Sequence, residues 1–231
     1  MGHQPIQRTG QVTAVMLQTL EVLQPAPKET LGALAAMSFM RSYSKGNEID
    51  WETREGTEVV FGVLVGAVDL GFRSVEGREQ QVLQVPAGQM FWEIGRAQLG
   101  GLDQAVAAVL STPTVLCQFP RGMFIDVVSN CPEAKARVIE QQMVWLDVLG
   151  ALLADRLHDA PTRVQRMLER NTQQNGEPTA HYTHEAIAAQ TGAHRVQVSR
   201  VLRTLIKQGA VELDEHHHIA RIHPDELRLD E

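Results

Sequence analysis

Cysteine is scarce in this chain of 231 residues, where Cys117 and Cys131 are the only two. Two thiols cannot frame a disulfide-rich fold, nor supply the four thiolates of an iron–sulfur cluster. No histidine lies between His3 and His158, which leaves that long stretch without an imidazole for haem iron. No run approaches the roughly 20 apolar residues of a membrane span, and the start, MGHQPIQRTG, lacks the charged-then-apolar layout of a secretion signal. A soluble, cytoplasmic protein without membrane contact is expected. Patterns for catalysis are also missing: there is no nucleophile spaced with its base and no phosphate loop. Glu93 with Asp103 is the nearest approach to an acid pair, but its Trp, Leu and Ala surroundings suit a binding pocket better. Neither an enzyme, a resident cofactor nor a metal centre is expected.

What the chain does have is an uneven distribution of charge. Its formal net charge is -7. Residues 1–159 hold 12 Lys+Arg against 18 Asp+Glu, net -6, and residues 160–231 hold 9 against 10, net -1. Between Ala186 and Val211 there is no acidic residue, while Arg195, Arg200, Arg203 and Lys207 all fall there. Net charge governs solubility and steering, whereas binding depends on where the positive charges stand.

The hydrophobic pattern divides the chain in three. Residues 13–24 predict a short helix broken by the prolines of QPAP. From about Arg41 to Asp126, short Val-, Leu- and Phe-rich runs alternate with Gly, Pro and Asn, the pattern of a small antiparallel sandwich or roll. At Pro132 the period becomes helical, with Asn130 or Cys131 as cap and Asp159 to Pro161 as the stop. Ile139, Leu146 and Leu153 recur every seven residues, as do Met143, Gly150 and Leu157, which together make an a/d seam. Val144, Val148, Leu149 and Leu152 form a second stripe, which leaves two readings open: two buried faces, one on a partner helix, or one wide core-facing stripe in a monomer. The expected fold class is α+β, divided as 1–130 (β-roll with an N-terminal helix), 131–159 (dimerisation helix) and 160–231 (winged helix-turn-helix).

In the last part, THEAIAAQTGAHRVQVSRVLRTLIKQG reads as two helices about a turn, and AVELDEHHHIARIHPDEL as a hairpin. Ala188 allows a close helix crossing, Gly192 suits the left-handed turn, and Val198 packs the second helix on the first. Its N-terminal end then presents Arg195, Gln197, Ser199 and Arg200, side chains that pair with guanine and adenine edges in a major groove. A rival reading is a small-molecule-binding module whose winged helix serves protein contacts.

These residues resemble the cyclic-AMP receptor / fumarate-nitrate regulator family of bacterial transcription factors, over roughly residues 41–228. The likeness is strongest in GAHRVQVSRVLRTLIKQGAVEL, similar to the family's reading helix. The resemblance implies a homodimer on a palindromic double-stranded DNA site, with RNA polymerase as a further partner. It puts Arg195, Val196, Gln197, Ser199 and Arg200 at reading positions, and adds His194 and Thr183 to the DNA-binding set. Val196 stands where many members have Glu; a valine touches a thymine methyl and cannot accept from cytosine.

The effector cassette departs further from the family pattern. AGQMFWEIGRAQLGGLDQAVAA keeps the ribose-binding carboxylate as Glu93, but Trp92 replaces a glycine, Asp103 the phosphate-binding arginine, and Gln104 the following hydroxyl residue. By the same alignment Val148 and Leu149 stand where polar groups meet adenine. An aspartate repels phosphate, so a response to cyclic AMP is not expected. Effector-independent binding and a more apolar ligand both remain open. His216, His217, His218 and His223 cluster near the wing, where a solvated tip is the expected role and a metal site the conceivable one. Cys131 is a candidate redox thiol, with an inert cap residue as the default, and Cys117 reads as a buried strand residue.

Overall fold

VVFGVLV is an almost unbroken apolar run, which suits a strand buried on both faces, and this strand lies inside the first sheet with a neighbour on each edge. The computed structural model describes residues 7–49, 58–73, 79–92, 105–109, 113–173, 175–178, 182–215 and 218–227. In chain order the elements are β1 (Gln7–Gln11), α1 (Ala14–Leu17), α2 (Lys28–Ala36), β2 (Phe39–Tyr43), β3 (Val59–Val65), β4 (Ala67–Arg73), β5 (Glu79–Pro86) and β6 (Met90–Trp92). There follow β7 (Ala105–Val109), β8 (Thr114–Pro120), α3 (Arg121–Ser129), α4 (Pro132–Asp155), α5 (Ala160–Arg170), α6 (His184–Thr191), α7 (Arg195–Lys207), β9 (Val211–Leu213) and β10 (Ile219–Ile222). The chain divides into two units, 1–77 with 81–148, and 78–80 with 149–231, and α4 crosses the division.

The first unit holds a five-stranded sheet, ordered β1-β2-β8-β3-β6, and a three-stranded one, ordered β5-β4-β7. The chain passes from the first sheet to the second at Gly66, whose φ of +85° takes the left-handed turn that a side chain resists. The antiparallel register sets Phe61 opposite Gln118 and Phe91, and Val60 opposite Phe119 and Trp92. One face therefore stacks Phe61 on Phe91, with ring centroids 4.9 Å apart. The other packs Val60, Met90, Cys117 and Phe119 against Leu17, Leu20, Leu31 and Leu34 of the N-terminal helical segment. Gly62 makes this possible, because a Cβ there would lie 2.4 Å from Leu20 Cδ1 and 2.7 Å from Cys117 Sγ.

Several sequence expectations shift. The helix predicted over 13–24 shortens to α1, capped by Thr13, and continues as turns that bury Leu20 and Leu23. The prolines that break it also start α2, since Pro27 stands at its N-cap and a fixed φ near that of a helix favours initiation. Strand pattern was expected to reach Asp126, but α3 begins directly after Pro120 and buries Phe124 and Val127 at helical spacing. Burial there overrides the β-propensity of Phe, Ile and Val. α4 ends at Asp155, so Asp159 is not its stop. Its carboxylate caps α5, accepting from the Thr162 N–H at 2.9 Å, and those hydrogen bonds hold it below the usual carboxylate range.

The second unit is three helices and a hairpin. Val164, Met167, Leu168, Ile187, Val198, Val201, Leu202, Leu205, Ile219 and Ile222 close one core. Each such side chain contributes about 1.5–3 kcal/mol on burial. Ala188 packs at its edge.

Candidate nucleic-acid interface

The candidate interface is built by the turn between α6 and α7. Thr183 caps α6, its Oγ1 accepting from the Ala186 N–H at 3.1 Å. Gly192 ends that helix at φ +62°, ψ +22°, the left-handed conformation anticipated for it. Val198, Val201, Leu202 and Leu205 then turn one side of α7 inward, and Arg195, Val196, Gln197 and Arg200 stand exposed on the other, with Ser199 partly covered. Neither Arg195 nor Arg200 has an ion-pair partner among the described residues, so both guanidinium forks are available to an outside acceptor.

Two contacts refine this surface. Gln197 Oε1 accepts the backbone N–H of His194 at 3.0 Å, so this side chain caps the helix while it also faces outward. Its Nε2 donors and one oxygen lone pair are left over from this cap. Ser199 Oγ lies 3.0 Å from His184 Nδ1, joining the start of α6 to the first turns of α7. Sequence reasoning missed His184, because nothing local marks it; only the crossing of the two helices brings it to Ser199.

On the wing, His223 Nε2 is 2.9 Å from Glu212 Oε1, and His218 Nδ1 is 3.5 Å from Asp214 Oδ2. His216 and His217 lie outside the described residues. Among the described residues no His, Cys, Asp and Glu cluster has the makings of a metal site.

Of the effector-pocket positions, Glu93, Asp103 and Gln104 lie outside the described residues. Trp92 is half-buried, and its ring packs on Trp145 of α4 (centroids 5.3 Å) and Phe124 of α3 (6.1 Å). The inward face of α4 in this unit is thus led by Ala134, Val138 and Trp145. This corrects the second stripe: Val144 is exposed beside the seam, while Val148, Leu149 and Leu152 are half-buried. Gln141 Nε2 also donates to the Met90 carbonyl and ties α4 to β6. Cys117 is wholly buried and its thiol is pushed up to about 12 by desolvation, which leaves it unreactive. Cys131 is buried too, with Sγ 3.7 Å from Glu133 Oε2.

The seam residues behave differently. Ile139, Met143, Leu146, Leu153 and Leu157 are between 53% and 87% exposed, and Gly150 is exposed among them.

Residues 150–229 match the Crp-like helix-turn-helix domain family. The chain is 26% identical over 195 residues to the cyclic AMP receptor protein of Thermus thermophilus, covering 81% of this chain and 86% of that one. It is 27% identical over 202 residues to the cAMP-activated global transcriptional regulator Vfr of Pseudomonas aeruginosa, covering 79% and 89%. Residues 150–229 are thus a Crp-like helix-turn-helix domain, and over about four-fifths of its length the chain resembles CRP/FNR regulators. Similar solved structures agree on the fold. A transcriptional regulator of the crp/fnr family from Eubacterium rectale superposes with a TM-score of 0.69 at 18% identity, covering 91% of this chain and 97% of that one. A CooA mutant from Carboxydothermus hydrogenoformans gives 0.68 at 19%, covering 96% of each. With this domain and these relatives, the chain is a transcription regulator with a helix-turn-helix DNA-binding domain. Among the described residues no helix is long and apolar enough to cross a membrane.

Proposed function

We propose that this regulator acts as a homodimer on a palindromic double-stranded DNA site, that α7 of each subunit reads one half-site, and that cyclic AMP is not its effector. The observation that carries the reading is the exposed seam on α4. A soluble monomer rarely leaves a contiguous apolar row in water, and a heptad row on a long helix suits a second copy of itself. The reading residues are Arg195, Val196, Gln197, Ser199 and Arg200, with Thr183 and His194 near the phosphates. Contact with RNA polymerase follows from the family alone.

Base reading is tested at Arg200. Arg200→Ala is expected to cost roughly 1–3 kcal/mol on a site selected from a random DNA pool, if the side chain holds a guanine bidentately. Binding to unrelated DNA, measured by the same retardation assay, should change far less. Equal losses on both would remove Arg200 from the reading set. A failure to retard any DNA would favour the rival role of the winged helix in protein contacts.

The two curated relatives are named for cyclic AMP, and this chain differs from the family cassette where it matters. Asp103 replaces an arginine, Val148 and Leu149 replace polar groups, and the Trp92 ring is spent on packing against Trp145 and Phe124. Titration with cyclic AMP is therefore expected to leave tryptophan emission unchanged. A saturating change at micromolar nucleotide contradicts the reading, because a ligand at this position has to disturb the Trp92 stack.

A further inference from the structure

Asp155 is the last residue of α4, yet it is only 5% exposed. Its Oδ2 accepts a hydrogen bond from Arg170 Nη2, and Arg166 Nε stands 3.5 Å from Oδ1, an oxygen that makes no hydrogen bond of its own. Both arginines lie on α5. A third, Arg163, donates from Nη1 to the His158 carbonyl and from Nε to the Thr191 carbonyl, each at 2.9 Å. Positions 163, 166 and 170 share one helix face by their spacing. That face grips, in order, the α6–α7 turn with the 156–159 connection, and then the end of α4. Everything gripped lies in the unit that contains residues 149–231, together with the seam residues Leu153 and Leu157.

We propose that Asp155 is a positioning residue for DNA binding: its two-arginine clasp holds the reading helix in fixed register to the end of the seam and so sets the spacing between half-sites. This rests on the dimeric reading given above. A buried ion pair contributes little net stability against an apolar substitute, but it fixes geometry, since two guanidinium groups meeting one carboxylate allow one arrangement. The arginines are 43% and 45% exposed, so water receives them when the carboxylate is neutralised. The element that then loosens is the 156–159 connection between the end of α4 and α5. A dimer on a palindrome tolerates little such freedom, because its two reading helices must reach grooves about one helical turn apart.

The experiment uses the full-length chain and a site selected from a random DNA pool. Palindromes with the two halves moved together or apart by one or two base pairs are compared with the selected spacing and with a single half-site. The unaltered protein is expected to lose about tenfold or more for each displaced base pair, in keeping with the stiffness of short duplexes. Asp155→Asn, which keeps shape and removes charge, is expected to flatten this dependence to about threefold while its single half-site affinity stays within about twofold. Arg166→Gln with Arg170→Gln, changed at half-exposed positions, should give the same flattening from the other side. Asp155→Glu should recover part of the discrimination. A spacing profile identical to the unaltered protein's overturns the proposal, and so does a proportional loss on every DNA including the single half-site, which is the mark of a merely structural role. If the unaltered protein holds one half-site as tightly as two, the dimeric reading itself fails and the proposal goes with it.

Discussion

Replacing Leu146 and Leu153 together with glutamate is expected to leave a folded monomer whose affinity for a palindromic site is lower by about 10² to 10⁴-fold. Both side chains are exposed, so no cavity opens in either core. Glutamate is nearly as good a helix former as leucine, which spares α4 itself. In a dimer the four new carboxylates would sit at one apolar seam, where unpaired charge cannot be buried without a large cost. The loss in DNA affinity follows because the second half-site contact is no longer intramolecular. Sedimentation of the two proteins gives the mass, and titration of a labelled palindrome gives the affinity. Single half-site binding should be nearly unchanged. A double variant that still sediments as a dimer removes the seam from the interface.

The second large effect concerns stability and pH. Asp69 on β4 is mostly buried, and desolvation raises its carboxyl from 3.8 to about 7, against a smaller opposite pull from the Gln84 hydrogen bond. Its Oδ1 accepts from Gln81 Nε2 at 2.5 Å and from Gln84 Nε2 at 3.5 Å. The native chain keeps this proton over a range in which the unfolded chain has lost it. Stability from this group is therefore complete below about 3.8, falls as pH rises from there to about 7, and does not fall further above. The full difference corresponds to about 4 kcal/mol, and partial access to water lowers the working figure to about 2 kcal/mol. Asp69→Asn, which accepts and donates without ionising, is expected to match the unaltered protein near pH 4 and exceed it by about that amount at pH 8. Urea midpoints of the two proteins over this range provide the check. Parallel curves would mean that Asp69 is solvated and ordinary.

Local signals explain why the winged helix was legible from sequence. Ala188 at the crossing, Gly192 as turn and Val198 as the packing contact each act within a few residues of themselves. α3 was less legible, because Phe124, Ile125 and Val127 favour a strand in isolation and become helical only through what Phe124 and Val127 bury against. Trp145 reads as one more apolar residue on a long helix until Trp92 arrives from a distant strand. Asp155 and Asp69 have the same obscurity in another form. A carboxylate on a helix end or on an alternating strand reads as a solvent group, and only partners far along the chain bring it under cover. The seam shows the reverse, since a row that patterning marks for burial stands in water within a single chain.

The seven-residue repeat on α4 makes the helix a crankshaft. One extra residue inserted between Gly150 and Leu153 would rotate everything beyond it by about 100° and advance it by about 1.5 Å. Leu153 and Leu157 would then leave the line begun by Ile139 and Leu146. Where the seam pairs two subunits as proposed, length in this stretch is free to vary only in steps near whole heptads, and single-residue insertions and deletions are expected only in the connections outside it.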